Sequence, residues 1–169
     1  TSHATPAHSD DEAFGPDRDA LLAVRPARGV ALGVCPGCDL ASSEQSVALA
    51  GRYPFLYAAA GYHPENLEGV SLSDLDGVRA LCGHEKVVAV GEIGLDYYWV
   101  KTPRDVQKEG FVSQLELARE MSLPVIIHRR DAAADTLEVM QSHAWGIMGV
   151  IPCFSYSKEL AREDEELGF

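Results

Sequence analysis

Three residues with side chains of the metal-binding type stand at the ends of candidate strands: His8 near the start, Glu92 and His128. Carboxylate oxygens suit hard ions such as Mg²⁺, and imidazole nitrogens suit Zn²⁺ or Mn²⁺. A carboxylate that bridges two such ions, with histidines completing each, allows water to be activated against a phosphodiester. Each residue alone is more often a solvated or capping group, so residue type by itself indicates only a candidate metal site.

The elements that must position these residues alternate along the chain. Short apolar runs rich in β-branched residues predict strands covered on both faces. The predicted strands are Val30–Pro36, Phe55–Gly61, Val87–Ile93, Pro124–His128 and Gly149–Phe154. The predicted helices are roughly 17–27, 41–51, 73–82, 103–122, 131–143 and 157–167.

The helix predicted over 103–122 has the clearest signals. Thr102 supplies an expected N-cap and Pro103 an expected first helical residue. An apolar stripe then recurs at helical spacing and predicts the face that packs on a core: Phe111, Leu115 and Ala118.

Regular alternation of strands and helices implies parallel strands joined by right-handed crossovers. An open doubly wound sheet and a closed barrel both satisfy this pattern, but neither GxGxxG nor GxxxxGK[ST] occurs. His63, Glu92 and His128 lie where predicted strands end, and (β/α)8 barrels build active sites at that edge. We therefore predict a single α/β domain over 1–169, an incomplete (β/α)8 barrel with five to six βα units.

Composition limits the function classes. The net charge of −12 excludes nucleic-acid binding through a broad basic surface, so any such chemistry needs a local cation such as a metal. No apolar run approaches the ~18 residues that span a membrane, and no leader is visible, so a cytoplasmic protein is expected. The sequence indicates neither a membrane association nor a protein partner.

Four cysteines are then expected to be reduced thiols. Cys35 and Cys38 have the CxxC spacing of redox or zinc sites. One such pair without a second is weak evidence for zinc, so we favour the simpler interpretation that Cys35 ends a strand and Cys38 begins a turn.

Several segments resemble the TatD family of deoxyribonucleases. Residues 91–98 (GEIGLDYY) and 124–132 (PVIIHRRDA) are similar to its two most specific motifs. Residues 61–64 (GYHP), 36–39 (PGCD) and 10–14 (DDEAF) are similar to three further segments. The resemblance runs from about residue 4 to 169.

The resemblance implies a (β/α)8 barrel of the amidohydrolase type that hydrolyses DNA, often as a 3′→5′ exonuclease. It also implies two divalent ions, Mg, Mn or Zn, and DNA as the substrate. Glu92 would bridge the ions as the catalytic carboxylate, and His8 and His128 would each bind one of them.

The sequence departs from the family pattern at three places. The family's opening DxHxH matches residues 4–8, where only His8 keeps a ligand, and 1–14 lacks the apolar residues of a buried first strand. Pro152 stands where the family has a histidine, and the sequence ends at Phe169, before the strand of the catalytic aspartate. Three ligands shared by two ions hold each weakly, so we expect one weakly bound ion or a vacant site, and doubtful activity.

Substrate contacts are expected from residues near the motifs. His63 is either a substrate contact or a turn histidine bonded to backbone. Asp96, Tyr97 and Tyr98 either line a nucleotide groove or belong to a packed loop. One of Arg129 and Arg130 is expected to contact a phosphate, with Arg129 as the chosen candidate. Trp99 and Trp145 are expected to be packing residues.

Three functions are compatible with these observations. The first is a metal-dependent deoxyribonuclease. The second is a hydrolase of the same superfamily that acts on a small cyclic amide or ester, since one barrel supports many chemistries. The third is a degenerate fragment without catalysis, which is silent or only binds a partner.

Overall fold

The computed structural model describes Ala20, Leu22 and residues 26–99, 101–152 and 158–169. The strands are β1 (Gly33–Pro36), β2 (Leu56–Ala60), β3 (Val87–Asp96), β4 (Val125–Arg130) and β5 (Gly149–Val150). The helices are α1 (Leu40–Arg52), α2 (Leu72–Cys82), α3 (Arg104–Met121), α4 (Ala133–His143) and α5 (Lys158–Leu167). Short 3₁₀ turns lie at Pro26–Arg28 and Pro64–Asn66. The predicted features of residues 1–14, and most of the helix predicted over 17–27, lie outside the described residues.

The five strands form one parallel sheet in the order β1-β2-β3-β4-β5. A helix follows each strand, so the described chain contains five βα units. This is the predicted architecture, and it places the carboxyl ends of all strands along one edge.

The core lies between the sheet and the helix layer. The predicted apolar stripe of α3 is confirmed, since Phe111, Leu115 and Ala118 are fully buried. Burying each of the two larger side chains contributes roughly 1.5–3 kcal/mol relative to leaving it in water. None of the described helices has the length and apolar character needed to cross a membrane.

Element boundaries differ from the prediction where backbone contacts decide them. Helix α3 begins at Arg104, with Pro103 at the N-cap, so the prediction of Thr102 as a side-chain cap was wrong. Strand β3 continues to Asp96 because Gly94 allows close approach to β4. A Cβ at Gly94 would collide with the carbonyl oxygen of His128, its register partner.

Candidate metal centre

Three predicted site residues meet at the carboxyl edge of the sheet. His63 follows β2, Glu92 lies in β3 and His128 lies in β4. One ligand atom from each lies within 4.8 Å of the other two. His8 lies outside the described residues, so its predicted place as a ligand stays a prediction.

His128 is held between two carboxylates. Its Nε2 lies 2.8 Å from Asp96 Oδ2, and its Nδ1 lies 3.4 Å from Glu92 Oε1. Asp96 is buried, with 1% of its surface exposed. Its other oxygen, Oδ1, accepts hydrogen bonds from the backbone N–H groups of Tyr98 and Trp99 at 2.9 and 3.1 Å. Asp96 therefore fixes both the ring of His128 and the start of the loop after β3.

Charge within the site is balanced by these contacts. Burial by itself lowers the pKa of His128, but the hydrogen bonds and charges of Glu92 and Asp96 outweigh it and raise the pKa. Burial favours the neutral form of Glu92, yet its contacts with His128 and the nearby His63 hold its pKa below the ordinary value. Both carboxylates therefore favour the protonated form of His128.

His63 has a different environment. Its Nδ1 accepts the backbone N–H of Glu65 at 3.3 Å, and its ring meets the His128 ring edge-on with centroids 4.3 Å apart. Burial and the neighbouring His128 lower the pKa of His63 to about 4. A neutral ring whose Nδ1 accepts must carry its proton on Nε2. His63 thus makes the predicted backbone contact and offers an N–H donor at the site.

The turn after β1 positions the backbone of two site residues, Glu92 and His63. The Gly37 carbonyl accepts the N–H of Glu92 at 3.1 Å, and the Cys38 carbonyl accepts the N–H of His63 at 2.9 Å. Gly37 has no space for a side chain, because a Cβ there would collide with Ser43. The Asp39 side chain caps α1 through Ser42, which fixes the end of the turn.

This turn also explains the CxxC spacing. Cys35 is buried in β1 and Cys38 follows in the turn, and neither forms a disulfide. Among the described residues neither joins a cluster of metal-binding type. Burial and the nearby Glu92 raise the pKa of the Cys38 thiol to about 11. The simpler interpretation of the two cysteines agrees with this placement.

Two buried glutamines on α3 hold the loops that carry the site. Gln107 Oε1 accepts the N–H of Asp96, and Gln107 Nε2 donates to the Asp96 carbonyl, both at 2.9 Å. Gln114 does the same for Tyr62, at 2.6 and 3.0 Å. The two glutamines are seven positions apart, so they lie on one face of α3, two turns apart.

Arg129 does not lie with the candidate ligands. Its guanidinium is buried and makes two parallel hydrogen bonds to Asp164 of α5, at 3.0 and 2.7 Å. In a strand, alternate side chains face opposite sides, so His128 faces the site while Arg129 faces the helix layer. This placement does not support a phosphate contact by Arg129. The neighbouring residue Arg130 is exposed and becomes the candidate for that contact.

Tyr97 also differs from its prediction as a substrate residue. Its hydroxyl donates to Asp135 at 2.6 Å, and the Arg104 guanidinium lies 4.1 Å above its ring. These contacts fit the packed-loop alternative. Tyr98 and Trp99, in contrast, are 53% and 57% exposed. The prediction that Trp99 and Trp145 are packing residues was wrong, since Trp145 is 65% exposed.

Pro152 lies in an exposed turn two residues after β5. Its ring has no ligand atom, so this position adds no donor to the centre. The predicted strand Gly149–Phe154 was therefore too long, because β5 ends at Val150 and Pro152 lies beyond it.

The residues present fit a divalent ion, as part of a larger site. Glu92 and the Nδ1 atom of His128 face each other, while Asp96 holds the opposite ring nitrogen. A carboxylate behind a metal-binding histidine is the common outer-shell arrangement, which fixes the tautomer and leaves one lone pair for the ion.

Sequence reasoning did not find Asp96 as the partner of His128, nor the roles of Gln107 and Gln114. The glutamines had a signal, because both are polar residues on the same face as Phe111 in a buried stripe. A polar side chain in such a stripe indicates a buried hydrogen-bond partner.

Comparisons with known proteins identify the family of this chain. The family model described as "TatD related DNase" matches residues 5–169. The metal-dependent hydrolase YabD of Bacillus subtilis, described as uncharacterized, is 39% identical over 166 residues, covering 98% of this chain and 65% of that protein. The "3'-5' ssDNA/RNA exonuclease TatD" of Cronobacter sakazakii is 38% identical over 152 residues, covering 89% and 57%.

The crystal structure of the TatD homologue YjjV from Escherichia coli K12 superposes with a TM-score of 0.87 at 34% identity. The superposition covers 95% of this chain and 63% of YjjV, and it confirms the predicted fold as part of a (β/α)8 barrel. This chain spans about three fifths of the length of these relatives.

Proposed function

This chain belongs to the TatD-related DNase family, and we propose that its site serves metal-dependent hydrolysis of DNA phosphodiester bonds from the 3′ end of single strands. The observation that carries the proposal is the pair of facing donors, Glu92 and His128 Nδ1, with Asp96 behind the ring. Relatives named as metal-dependent hydrolases and as a 3′-5′ exonuclease support the reaction class and the polarity.

Each residue has a distinct part in this proposal. Glu92 and His128 would hold a divalent ion together with His8. The family resemblance implies two ions, but three ligands favour one weakly bound ion. Such ions, when bound, activate water and neutralise charge that develops on the phosphate. Asp96 keeps His128 Nε2 protonated, so that Nδ1 stays available. His63 would donate its Nε2–H to a phosphate oxygen, which its backbone-bonded Nδ1 makes possible.

Local cations offset the acidic character of the chain around this site. Arg130 follows His128 by two residues, and Lys101 is close enough to lower the pKa of His63, behind the larger effects of burial and His128. A substrate phosphate would therefore meet positive side chains beside the site although the net charge is −12.

A direct test measures Mn²⁺-dependent shortening of a 5′-labelled single-stranded DNA on a sequencing gel. We expect stepwise loss from the 3′ end that EDTA abolishes. Glu92→Gln removes the anionic ligand and should lower the rate at least roughly 100-fold, since outer-shell partners alone cost 10–100-fold. Glu44→Gln, an exposed change on α1, is the matched control and should leave the rate unchanged. Equal rates for the wild type and Glu92→Gln would contradict the proposal.

The proline at position 152 favours a second candidate, a chain that retains the fold and substrate contacts but does not catalyse. Mn²⁺ titration by calorimetry separates the two functions. Heat of Mn²⁺ binding together with DNA shortening supports the hydrolase. If there is neither heat nor shortening, the variant Pro6→His/Pro152→His decides, because Pro6, like Pro152, stands where the family pattern has a histidine. Regained Mn²⁺ binding shows that the scaffold is intact and only ligands are missing.

A further inference from the structure

An exposed aromatic pair lies beside the candidate metal centre. The rings of Tyr98 and Trp99 meet edge-on with centroids 4.8 Å apart. More than half of each residue is exposed, 53% and 57%. Large aromatic side chains in such a position mark interaction sites, because exposing them to water is unfavourable. The proposed hydrolysis does not use either ring.

Arg130 completes this surface from the neighbouring strand. Its guanidinium lies 3.9 Å from the centre of the Tyr98 ring and 5.6 Å from that of Trp99. Within the part of the chain that the structure describes, Arg130 forms no ion pair with a carboxylate. Stacking orders the guanidinium while leaving its N–H groups free for an anion. The surface therefore offers aromatic faces and an ordered cation together.

Asp96 fixes the distance between this surface and the metal centre. One oxygen of Asp96 bonds to His128, and the other accepts the N–H groups of Tyr98 and Trp99. The carboxylate of Asp96 thus connects the backbone of Tyr98 and Trp99 to the candidate metal ligand His128. A single strand whose phosphate lies at His128 would bring a neighbouring base to these rings.

We propose that Tyr98, Trp99 and Arg130 form a subsite that binds an unpaired base and its adjacent phosphate, and so selects single-stranded nucleic acid. This inference rests on the proposed function for the position of the phosphate. Base stacking on an aromatic ring is tolerant of base identity, because every base has a π-face. Bases inside a duplex are already stacked on one another, so the subsite discriminates against duplex substrates.

Tryptophan fluorescence tests the subsite directly, since the chain has two tryptophans, Trp99 and Trp145. Trp145 lies in the turn before β5, at the opposite end of the strands from the site. The variant Trp145→Phe leaves Trp99 as the only reporter, and Trp99→Phe leaves Trp145 as the matched control. Both variants are titrated in EDTA with octathymidylate, with an abasic octamer of equal phosphate count, and with a blunt hairpin duplex.

Stacking predicts that octathymidylate quenches Trp99 and that the abasic octamer and the duplex do not. Trp145 should respond to none of the three. Trp99→Ala should weaken octathymidylate binding, measured by anisotropy of a labelled strand, about tenfold, which corresponds to ~1.4 kcal/mol of stacking. Arg130→Ala should weaken the octathymidylate and the abasic octamer by similar factors, because it removes a phosphate contact.

The outcomes separate this subsite from the proposed function. Binding of octathymidylate by anisotropy without quenching of Trp99, or equal quenching by the abasic octamer, overturns the subsite. Hydrolysis of single strands whose KM does not change in Trp99→Ala also overturns the subsite, while it leaves the hydrolase proposal intact. Quenching of Trp99 without any Mn²⁺-dependent shortening supports the subsite and contradicts the hydrolase.

Discussion

Asp96 connects two parts of the molecule that belong to different sequence motifs, residues 91–98 and residues 124–132. One oxygen holds His128 and the other holds the loop that starts with Tyr98. Burial raises the pKa of Asp96, but the hydrogen bonds from the Trp99 backbone and from His128 outweigh it and keep the carboxyl ionised at neutral pH. The charge of Asp96 therefore selects the tautomer of His128 that presents Nδ1 to an ion.

Replacing Asp96 by asparagine separates tautomer control from the structural role of this residue. The amide oxygen still accepts the two backbone N–H groups, but the amide NH₂ faces His128 Nε2 and favours the tautomer with Nδ1 protonated. We expect Mn²⁺ affinity, measured by calorimetry, to fall roughly 10–100-fold with little change in melting temperature. Asp76→Asn, an exposed change on α2, controls for the altered net charge. Unchanged Mn²⁺ affinity in Asp96→Asn would show that Asp96 does not set the ligand tautomer.

For single residues, the sequence allowed the metal-binding side chains to be identified but not the contacts that they make. Glu92, His63 and His128 are recognisable because they stand at predicted strand ends, and the structure brings them together. Arg129 and Arg130 are adjacent and identical in type, so only the alternation of the strand distinguishes the one that faces the helix layer. The exposure of Trp99 depends on the loop after β3, which no periodic pattern describes.

Helix α3 is the element that connects the core to the site. Its apolar stripe was readable from spacing, and the structure confirms it. The same face carries Gln107 and Gln114, which pair with the backbone of Asp96 and Tyr62. Each glutamine satisfies the backbone N–H and carbonyl of one residue, Asp96 at the end of β3 or Tyr62 in the loop after β2. Helix α3 thus holds both the end of β3 and the loop after β2.

A substitution on this helix tests that role. Gln114→Leu keeps the approximate size of the side chain and leaves the N–H and carbonyl of Tyr62 without their partner. We expect a loss of about 2–4 kcal/mol in the free energy of unfolding, since each buried unsatisfied group costs ~1–3 kcal/mol. Urea unfolding followed by circular dichroism measures it. Gln45→Leu on the exposed face of α1 is the matched control and should change stability by less than about 0.5 kcal/mol. A Gln114→Leu chain as stable as the control would show that the Tyr62 backbone finds other partners.

The bounds of three helices were predicted more closely than those of the strands, because the apolar pattern of a helix determines where it packs. The bounds of α1, α2 and α3 differ from the predicted ones by one residue at most. Strands β3 and β4 extend two or three residues further than predicted because they pair with each other beyond the apolar run. That extension depends on the approach allowed at Gly94, a tertiary contact that local hydropathy does not contain.

The outer strands of the sheet affect how the chain associates with other copies of itself. Strands β1 and β5 each pair with one neighbour among the described residues, so the sheet has two edges. Exposed apolar side chains lie at both: Leu32 and Val34 at β1, and Met148 and Val150 at β5, with exposed fractions from 42% to 73%. In a closed barrel no edge remains, whereas an open edge with apolar neighbours is a template for pairing with another chain.

We therefore expect the 169-residue chain, when produced by itself, to associate through its sheet edges. Sedimentation velocity over a range of concentrations should show dimers or larger species that dissociate on dilution. Val150→Lys places a charge on the β5 edge, a substitution that disfavours edge pairing, and should shift the distribution towards monomer. Gln45→Lys adds the same charge on the outer face of α1 and should leave the distribution unchanged. If the wild-type chain sediments as a monomer at all concentrations, its edges are already protected. If both lysine variants dissociate equally, net charge rather than edge pairing controls the association.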